Sequence, residues 1–332
     1  TGKELAKLLN LSESAISLAL NNKPGVSTQT RKMVIEAAKK HGYDFSKLSP
    51  GDSITEGSIY LIIYKRNGAV VADTPFFFRL TEGIDLECNC LNYTFNIKYL
   101  YQGDNIADQL ETLRHSGVKG LVLLGTEMKK QDIAPFLKCN IPFVLLDNYF
   151  EDLNINSVLI NNIMGAYTAT DYIIKKRKSQ PGYLHSSYSI SNFEERADGF
   201  YKAIRKNGMS TSLSIVHLLC PSVEGAYADM TQYIRNNEPL ADCYFADNDL
   251  IAAGAIGAFR EAGYQIPQDI AVVGFDDMPL CTYIEPPLTT INVPKEYMGK
   301  MAVRRLHELI IDRQSQPVKI EILTSLVIRK SC

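Results

Sequence analysis

No apolar run in the sequence approaches the roughly 20 residues that a membrane-spanning helix needs. No charged and then apolar leader precedes Thr1, so we expect a cytoplasmic protein with no membrane partner. The seven cysteines include no CxxC pair and have no histidines at metal-ligand spacing. We therefore expect reduced, mostly structural thiols and no metal site.

Catalytic motifs are missing as well. The five histidines stand alone in the sequence, and there is no HExxH motif and no nucleophile elbow. No glycine-rich phosphate loop follows a predicted strand. These absences argue against an enzyme, and we expect neither catalytic residues nor a cofactor.

The length and composition suit a protein with more than one hydrophobic core. The chain has 332 residues, of which 45% are hydrophobic, and it is too long for one ordinary core. A small head followed by a large two-lobed body is the division that we expect.

The first 43 residues predict three short helices. Thr1, Ser12 and Ser27 are suited to capping the helix N-termini, and Gly42 is suited to ending the third helix. Apolar side chains recur at helical spacing and would face inward. These side chains are Leu5, Ala6, Leu9, Ala15, Ile16, Ala19, Leu20, Val34, Ile35 and Ala38.

The second of these helices would expose a short, mostly polar face made by Glu13, Ser14, Ser17 and Leu18. A short helix pair with such a face is typical of the helix-turn-helix that enters the major groove of DNA. A small helical cap without a nucleic-acid role has the same pattern. Charge favours the DNA-binding hypothesis, because residues 1–49 carry eight basic and four acidic side chains, a net charge of +4. The whole chain carries −2, so the remaining 283 residues carry −6, and only the head suits phosphate binding.

Short segments throughout the head carry a family resemblance. They are Leu5-Ala6, Leu11-Ser12, Ala15-Ile16-Ser17, Leu20-Asn21-Asn22, Pro24-Gly25-Val26-Ser27, Thr30-Arg31 and His41-Gly42-Tyr43. Through these segments the head resembles that of the lac-repressor-type (LacI/GalR) family of bacterial transcription regulators. Later stretches extend the resemblance over essentially the whole chain.

The resemblance implies which residues of the head meet DNA. Glu13 is suited to accept a hydrogen bond from cytosine N4, and Leu18, where many relatives carry arginine, is suited to contact a thymine methyl group. We therefore expect an operator unlike the usual family consensus. Four further side chains are placed for phosphate contacts, namely Asn21, Lys23, Ser27 and Thr30. The predicted DNA-binding set is Ser12, Glu13, Ser14, Ser17, Leu18, Asn21, Lys23, Ser27 and Thr30.

Residues 46–57 predict a linker, because they are rich in Ser, Gly and Pro and have no helical period. In the family, this segment forms a short hinge helix that orders on DNA and inserts a leucine into the minor groove. Here Asp52, or Gly51, stands at the position of that leucine, and Pro50 interrupts a helix. Neither residue is an apolar wedge, so we expect weaker DNA bending and looser coupling between head and body.

From Ser58 onward, short β-rich runs alternate with amphipathic helices, and the alternation restarts near Ile163. The predicted strands are at 58–64, 95–101, 120–124, 143–146, 157–160, 182–185, 213–219, 242–246 and 270–274. The predicted helices between them are at 76–92, 106–115, 131–139, 163–176, 192–207, 223–236 and 250–262. This pattern predicts an α/β body of two similar lobes, with parallel sheets covered by helices, after a small all-α head. By resemblance to the family and to periplasmic sugar-binding proteins, a long helix near Lys295–Arg313 returns to the first lobe and the terminal strands belong to the second. The predicted domains are a head at 1–45, a linker at 46–57, a first lobe at 58–160 and 291–317, and a second lobe at 161–290 and 318–332.

The resemblance also implies a ligand site in the cleft between the lobes. Pro75-Phe76-Phe77 resembles the family's Asn-Pro-Phe-Phe, and Arg196 matches a family arginine three residues before a glycine and an aromatic residue. The loop at 65–74, several residues longer than usual, is expected to reshape the cleft mouth. The predicted effector-binding residues are Phe76, Phe77, Asp147, Arg196, Asn248 and Asp276. One aromatic wall with several hydrogen-bonding groups suits a small polar ring such as a sugar.

Each of these residues also has a simpler explanation. A phenylalanine packs in most cores, an arginine on a helix is usually solvated, and an aspartate after a strand often caps the next turn. Such a capping role is expected for Asp249, at the start of the helix that begins near Leu250.

The sequence therefore predicts a homodimeric, ligand-responsive transcription regulator, a repressor of a carbohydrate-utilisation operon whose partners are operator DNA and a small carbohydrate. One alternative replaces the sugar by a nucleobase or a protein corepressor. A second is a solute-binding protein, which shares the two-lobed body but requires a secretory leader and no DNA-binding head.

Overall fold

The computed structural model describes residues 2–20, 25–41, 43, 57–71 and 75–332. Internal contacts divide the chain into a head unit, Thr1–Ser58 with Leu91–Thr94, and a body unit, Ile59–Cys90 with Phe95–Cys332. Several predicted features lie outside the described residues. They are the cap at Thr1, the helix stop at Gly42, the DNA contacts Asn21 and Lys23, and the hinge positions Pro50, Gly51 and Asp52.

In the described part of the head there are three helices, which are α1 (Gly2–Leu9), α2 (Glu13–Leu20) and α3 (Thr28–Lys40). Two predicted caps are confirmed, because Ser12 Oγ accepts the N–H of Ala15 at 3.1 Å and Ser27 Oγ accepts that of Thr30 at 3.0 Å. Each cap gives a partner to a backbone donor that the first helical turn leaves unpaired.

The buried core of the head is made of the side chains that helical spacing predicted to face inward. Leu5, Ala6, Ile16, Ala19, Val34 and Ala38 are buried, with Leu9, Leu20 and Tyr43 among the half-buried side chains around them. Burying a Leu, Ile or Val contributes on the order of 1.5–3 kcal/mol to stability. The inward face therefore sets how the three short helices pack.

The body alternates strands and helices as predicted, and most elements begin and end within two residues of the predicted ones. The strands are β1 (Gly57–Lys65), β2 (Tyr93–Tyr101), β3 (Gly120–Leu124), β4 (Phe143–Leu146), β5 (Ser157–Ile160), β6 (Gly182–Ser186), β7 (Val216–Leu219), β8 (Cys243–Ala246), β9 (Ala271–Val273), β10 (Thr290–Asn292), β11 (Lys319–Ile322) and β12 (Ser325–Val327). The α-helices are α4 (Pro75–Cys90), α5 (Ile106–His115), α6 (Ala134–Lys138), α7 (Asn162–Arg177), α8 (Ser191–Lys206), α9 (Val223–Arg235), α10 (Asp249–Glu261) and α11 (Lys295–Ile311).

Two predicted elements are interrupted. The helix predicted at 131–139 is a 3-10 turn at Lys130–Ile133 followed by α6, because the proline near the start of α6 has no N–H to continue the preceding turn. The strand predicted from Leu213 begins only at Val216, since Thr211–Leu213 forms another 3-10 turn.

Within the described residues, two parallel sheets organise the body. The first has the strand order β11-β5-β4-β3-β1-β2 and the second the order β7-β6-β8-β9, while β10 and β12 form a separate antiparallel pair. Each pairing whose register is defined in the two larger sheets is parallel. We call the first sheet with its covering helices the first lobe, and the second sheet with its helices the second lobe.

The strand β11 lies in the sheet of the first lobe, whereas the sequence predicted that residues 318–332 belong to the second. The segment before β11 is held beside β5, because Arg305 donates to Asn156 Oδ1 at 2.7 Å and to Ser315 Oγ at 3.0 Å. The N–H of Val318 donates to the same Asn156 oxygen at 3.0 Å. From Lys319 the chain then continues in parallel register with Ser157.

The strands that face helices on both sides are buried throughout. Each residue of β3, β5 and β8 is buried, which is the burial expected for a parallel sheet covered on both faces. Among the helices of the described residues, none combines the length and the apolar character needed to cross a membrane.

Candidate functional site

The exposed face of α2 is the surface that the sequence predicts for DNA. Glu13, Ser14 and Ser17 are exposed, as expected, but Leu18 is half-buried. Its Cδ1 lies 3.2 Å from the place that a Cβ on Gly25 would take. Leu18 therefore packs partly against the segment before α3, which leaves less of its side chain for a thymine methyl group.

The six predicted effector-binding residues come together around one cavity between the two lobes. Phe76, Phe77, Asp147, Arg196, Asn248 and Asp276 line it. The sequence did not predict the other side chains of the lining, which are Val70, Thr126, Ile190, Asn192, Phe193, Pro221, Leu250 and Met278. The cavity has a volume of about 40 Å³. Pockets for small molecules usually have about 300 Å³ or more, so the lobes lie close together here.

Asp147 follows β4 and presents a buried carboxylate to this cavity. Thr126 donates a hydrogen bond to its Oδ2 at 2.6 Å, whereas Oδ1 has no hydrogen-bond partner among the described residues. Burial raises the pKa of Asp147 to about 6, although the Thr126 hydrogen bond, the charge of Arg196 and the Asn192 side chain all lower it. Its backbone has a φ of 63°, a left-handed conformation that is uncommon for a non-glycine residue and recurs at ligand sites.

Arg196 and Asp276 form a buried ion pair on the second lobe. Arg196 Nη2 lies 3.3 Å from Asp276 Oδ1, and its Nε donates to Asn162 Oδ1 at 2.9 Å. Its Nη1 donates to the backbone carbonyl of Asp247, and the guanidinium lies 3.8 Å from the centre of the Phe275 ring. Burial raises the pKa of Asp276, and the positive charges of Arg196 and Lys295 limit the rise. The arginine is therefore a buried network residue, which rules out the simple alternative of a solvated helix face.

Asn248 is the N-cap of α10, because its Oδ1 accepts the N–H of Ile251 at 2.9 Å. The expectation that Asp249 caps this helix is wrong. Asp249 is the first residue of α10 and is fully buried, where it accepts from the N–H of Met278 at 2.8 Å and the hydroxyl of Thr290 at 2.5 Å. Burial, then the negative charge of Asp276, raises the pKa of Asp249 to about 7.

Phe76 and Phe77 begin the wall that the first lobe contributes. Their ring centres are 5.1 Å apart with the planes 73° from parallel, and Phe76 is buried while Phe77 is half-buried. Behind them Lys295, at the start of α11, places Nζ 5.5 Å from the centre of the Phe76 ring and donates to the carbonyl of Val293 at 3.3 Å. It also donates to the carbonyl of Asp276, so one buried lysine contacts both sides of the cleft.

Some of the lining residues that were not predicted nevertheless carry a usable signal in the sequence. Thr126 lies just beyond the carboxyl end of β3, where α/β sheets place ligand-binding residues, and Asn192 lies at the start of α8. The apolar members, such as Val70 and Leu250, have no such signal, because nothing local separates them from core residues. Over the described part of the chain, no group of three or more His, Cys, Asp or Glu side chains is arranged to hold a metal ion.

Comparison with known proteins gives the family. The model of bacterial regulatory proteins of the lacI family matches residues 1–45, and that of the periplasmic binding protein-like domain matches residues 170–332. The HTH-type transcriptional repressor PurR of Mannheimia succiniciproducens is 28% identical over 336 residues, a match that covers 100% of this chain and 98% of that protein. The chain belongs to the LacI family. The ribose operon repressor of Haemophilus influenzae, another LacI-family member, is also 28% identical over 336 residues, with the same coverage of both proteins.

Solved structures of the LacI family share the fold. The lac repressor dimer bound to operator and the anti-inducer ONPF has a TM-score of 0.73 at 22% identity, and the match covers 100% of this chain and 98% of that one. The predicted fold class, a helix-turn-helix head with a two-lobed α/β body, is confirmed. As a LacI-family member the protein is a DNA-binding transcription regulator and not an enzyme, and the solute-binding alternative is set aside.

Proposed function

We propose that the protein is a homodimeric repressor in the cytoplasm. Its affinity for operator DNA is controlled by a small, neutral, polyhydroxylated ring that binds between the two lobes. The lac repressor structure is of a dimer on operator DNA, and the ribose operon repressor is named for a sugar operon. These relatives support the proposal in general terms. The observation that carries it is the pair of buried carboxylates, Asp147 and Asp276, which line one cavity from opposite lobes.

The chemistry of the cavity favours a ligand that donates hydrogen bonds. An ionised carboxylate accepts hydrogen bonds and cannot donate them, and Asp147 Oδ1 has no partner in the described part of the chain. Burying an acceptor without a partner destabilises a protein by about 1–3 kcal/mol, so a ligand hydroxyl at this oxygen would recover that free energy. Hydroxyls on a sugar meet this requirement at several positions of one ring.

The remaining groups fit the same class of ligand. Arg196 uses three of its five N–H donors within the protein, which leaves donors for a ligand oxygen. Asn248 uses Oδ1 as the cap of α10, and its amide nitrogen is the group that it offers to the cavity. Phe76 and Phe77 supply an apolar wall against which the C–H face of a sugar ring packs.

A ligand of this size requires the lobes to separate before it enters. The cavity of about 40 Å³ is smaller than a sugar ring requires, and residues of both lobes enclose it. A ligand that bridges Asp147 and Asp276 favours one arrangement of the lobes over another. That difference in affinity is the only means by which an effector can shift the conformational equilibrium.

On the DNA side, we propose that the exposed Glu13, Ser14 and Ser17 of α2 contact base edges, with Leu18 in a smaller role than its position suggests. Ser12, Ser27 and Thr30 lie at the helix N-termini, which suit phosphate contacts, and Asn21 and Lys23 complete the proposed set.

A thermal-shift screen of the full chain against neutral monosaccharides, sugar phosphates and nucleobases tests the effector. We expect a neutral monosaccharide to raise the melting temperature and to change binding to the chain's own promoter in a mobility-shift assay. Asp276→Asn and Asp147→Asn should each abolish the shift, whereas Asp198→Asn, on the exposed side of α8, should keep it. A shift produced by a nucleobase alone, or one that survives both cleft substitutions, would contradict the proposed ligand class.

A further inference from the structure

The loop after β1 and the loop after β3 meet where the order of the first sheet reverses. In that sheet β1 lies between β2 and β3, so the chain leaves β1 in one direction and later returns on the other side. Ligands of α/β proteins bind at such a switch point, outside the carboxyl ends of the strands. Residues 66–71 form the first loop, and Glu127 lies in the second.

The Glu127 carboxylate holds the backbone of loop 66–71. Its Oε2 accepts the N–H groups of residues 66, 67 and 68 at distances of 2.8, 3.2 and 3.0 Å. Its Oε1 accepts those of Val70 and Val71 at 2.9 Å each. The remaining N–H, that of Ala69, donates to Asn67 Oδ1 at 3.1 Å. Six consecutive backbone donors of an irregular loop are therefore satisfied, five of them by one side chain.

A carboxylate suits this arrangement, because both of its oxygens accept hydrogen bonds and it presents no donor to the backbone N–H groups. Burial would raise the pKa of Glu127, but the backbone donors outweigh burial and lower the pKa. Gly68 has a φ of +71°, which lets the loop turn so that donors on both sides converge on the carboxylate. An ion pair between Arg66 and Asp132 at 2.5 Å is a second contact that fixes the start of the loop.

The loop separates two cavities in the cleft. Val70 lines the cavity of the candidate effector site, which we call the inner cavity, and also a second cavity of about 330 Å³, which we call the outer cavity. Thr126 and Ile190 are shared in the same way. The outer cavity also has both lobes in its lining, with Lys129 from the first and Glu194 from the second. Of the three shared residues, Val70 is the one that belongs to loop 66–71, so the loop forms part of the boundary between the two cavities.

A buried carboxylate also accepts a backbone N–H group at the switch point of the second lobe. There β6 lies between β7 and β8, and Asp247, just after β8, accepts the N–H of Ser186 at 2.7 Å. The same carboxylate lies 2.7 Å from His185 Nδ1. In each lobe a buried carboxylate beyond one central strand fixes the end of the neighbouring one. The first lobe differs in that the fixed segment reaches over the cleft.

We propose that Glu127 is a positioning residue that limits the length of the effector, because it fixes loop 66–71 as a rigid partition between the inner and outer cavities. With the partition in place the cleft accepts a ligand of one ring, and without it a two-ring ligand spans both cavities. This inference rests on the proposed function in one respect, namely that the effector occupies the inner cavity.

Hydrogen–deuterium exchange of the full chain, without any ligand, tests whether Glu127 fixes loop 66–71. In Glu127→Gln an amide NH₂ replaces one acceptor oxygen and faces backbone donors, so peptides covering 66–71 should exchange about tenfold faster or more. Glu111→Gln is the matched control, because Glu111 is exposed on α5 and its carboxylate pairs with Arg114. Unchanged exchange of 66–71 in Glu127→Gln would overturn the proposal.

A thermal-shift comparison of monosaccharides with disaccharides tests the limit on ligand length. The unmodified chain should respond to one-ring ligands only, whereas Val70→Ala, which keeps Glu127, should respond to disaccharides as well while 66–71 stays protected. The same ligand preference in the unmodified chain and in Val70→Ala would overturn the proposed partition. This comparison remains possible even if Glu127→Gln fails to fold. If no sugar changes the melting temperature of the unmodified chain or of either variant, the proposed function fails. The exchange experiment still shows whether Glu127 fixes loop 66–71.

Discussion

Removal of the Arg196 side chain is the sharpest test of how the cleft is built. Arg196→Ala deletes the partner of Asp276 and leaves Asn162 Oδ1 and the carbonyl of Asp247 without their donors. It also removes the guanidinium from its position 3.8 Å from the centre of the Phe275 ring. The substituted position lies in the middle of α8, where alanine is a good helix former, so the helix itself should persist.

The expected loss of stability is large because Asp276 remains buried. Breaking a buried ion pair by deleting one partner destabilises a protein by about 3–5 kcal/mol. Each neutral acceptor left without a donor adds on the order of 1 kcal/mol, although such losses in one network are not additive. Against a total stability of about 5–15 kcal/mol, Arg196→Ala should lose at least about 3 kcal/mol. Arg205→Ala, at an exposed position of the same helix, should stay within about 0.5 kcal/mol.

Urea denaturation of the full chain measures the difference. The chain has no tryptophan, so tyrosine fluorescence and far-ultraviolet circular dichroism are suitable signals. With a slope of about 1–3 kcal/mol per molar urea, the midpoint should fall by on the order of 1 M.

The buried charge of Asp276 has two further consequences. Asp276→Asn in the Arg196→Ala background should recover part of the loss, because no buried charge then lacks a partner. Arg196 lowers the pKa of Asp276 in the folded chain, so the deficit of Arg196→Ala should also shrink as pH falls and Asp276 becomes protonated. A loss below about 1 kcal/mol at neutral pH, or an unchanged deficit in acid, would refute the account of a buried, charge-compensated network.

Two other predictions concern the cleft and the helix packing. A ligand hydroxyl that donates to Asp147 favours its ionised form, so affinity should rise as pH rises through the Asp147 pKa of about 6. Binding at pH 6 should then release a fraction of a proton, which calorimetry in two buffers detects; an equal heat of binding in both buffers would contradict the prediction. Gly254→Ala should destabilise the second lobe by about 1–3 kcal/mol, because its Cβ would lie 2.4 Å from the carbonyl oxygen of Val223 on α9. Gly257→Ala on the same helix meets only the Tyr227 ring at 3.3 Å and should leave the melting temperature nearly unchanged, so equal effects of the two would contradict the close approach.

Much of the fold could be predicted because its signals are local. The strands β3, β4 and β5 begin and end at the predicted residues, since continuous apolar runs bounded by turn residues mark buried parallel strands. The exceptions depend on contacts between distant segments. The sheet that β11 joins is decided by Arg305 and Asn156, which are 149 residues apart, and no local pattern contains that information.

The candidate site was predicted in part, for the same reason. Polar residues just beyond strand ends, such as Asp147 and Asp276, could be identified from strand prediction and family resemblance together. The cap of α10 is Asn248 and not the predicted Asp249, because either residue type is a good N-cap and only burial against Thr290 and Met278 distinguishes them. Glu127 carried no signal, since its five donors lie 56 to 61 residues earlier in the chain.

The buried carboxylates explain how a small ligand could control the lobes. Moving a two-state equilibrium from 1:99 to 99:1 requires a difference in binding free energy of about 5.5 kcal/mol. Hydrogen bonds to charged groups contribute about 1.5–3 kcal/mol each, so two such bonds give about 3–6 kcal/mol. If a ligand bonds Asp147 of the first lobe and Asp276 of the second only when the lobes are together, these two contacts supply most of the required difference. A ligand that bonds one carboxylate alone would bind without shifting the lobes, and it should therefore stabilise the chain without changing its affinity for DNA.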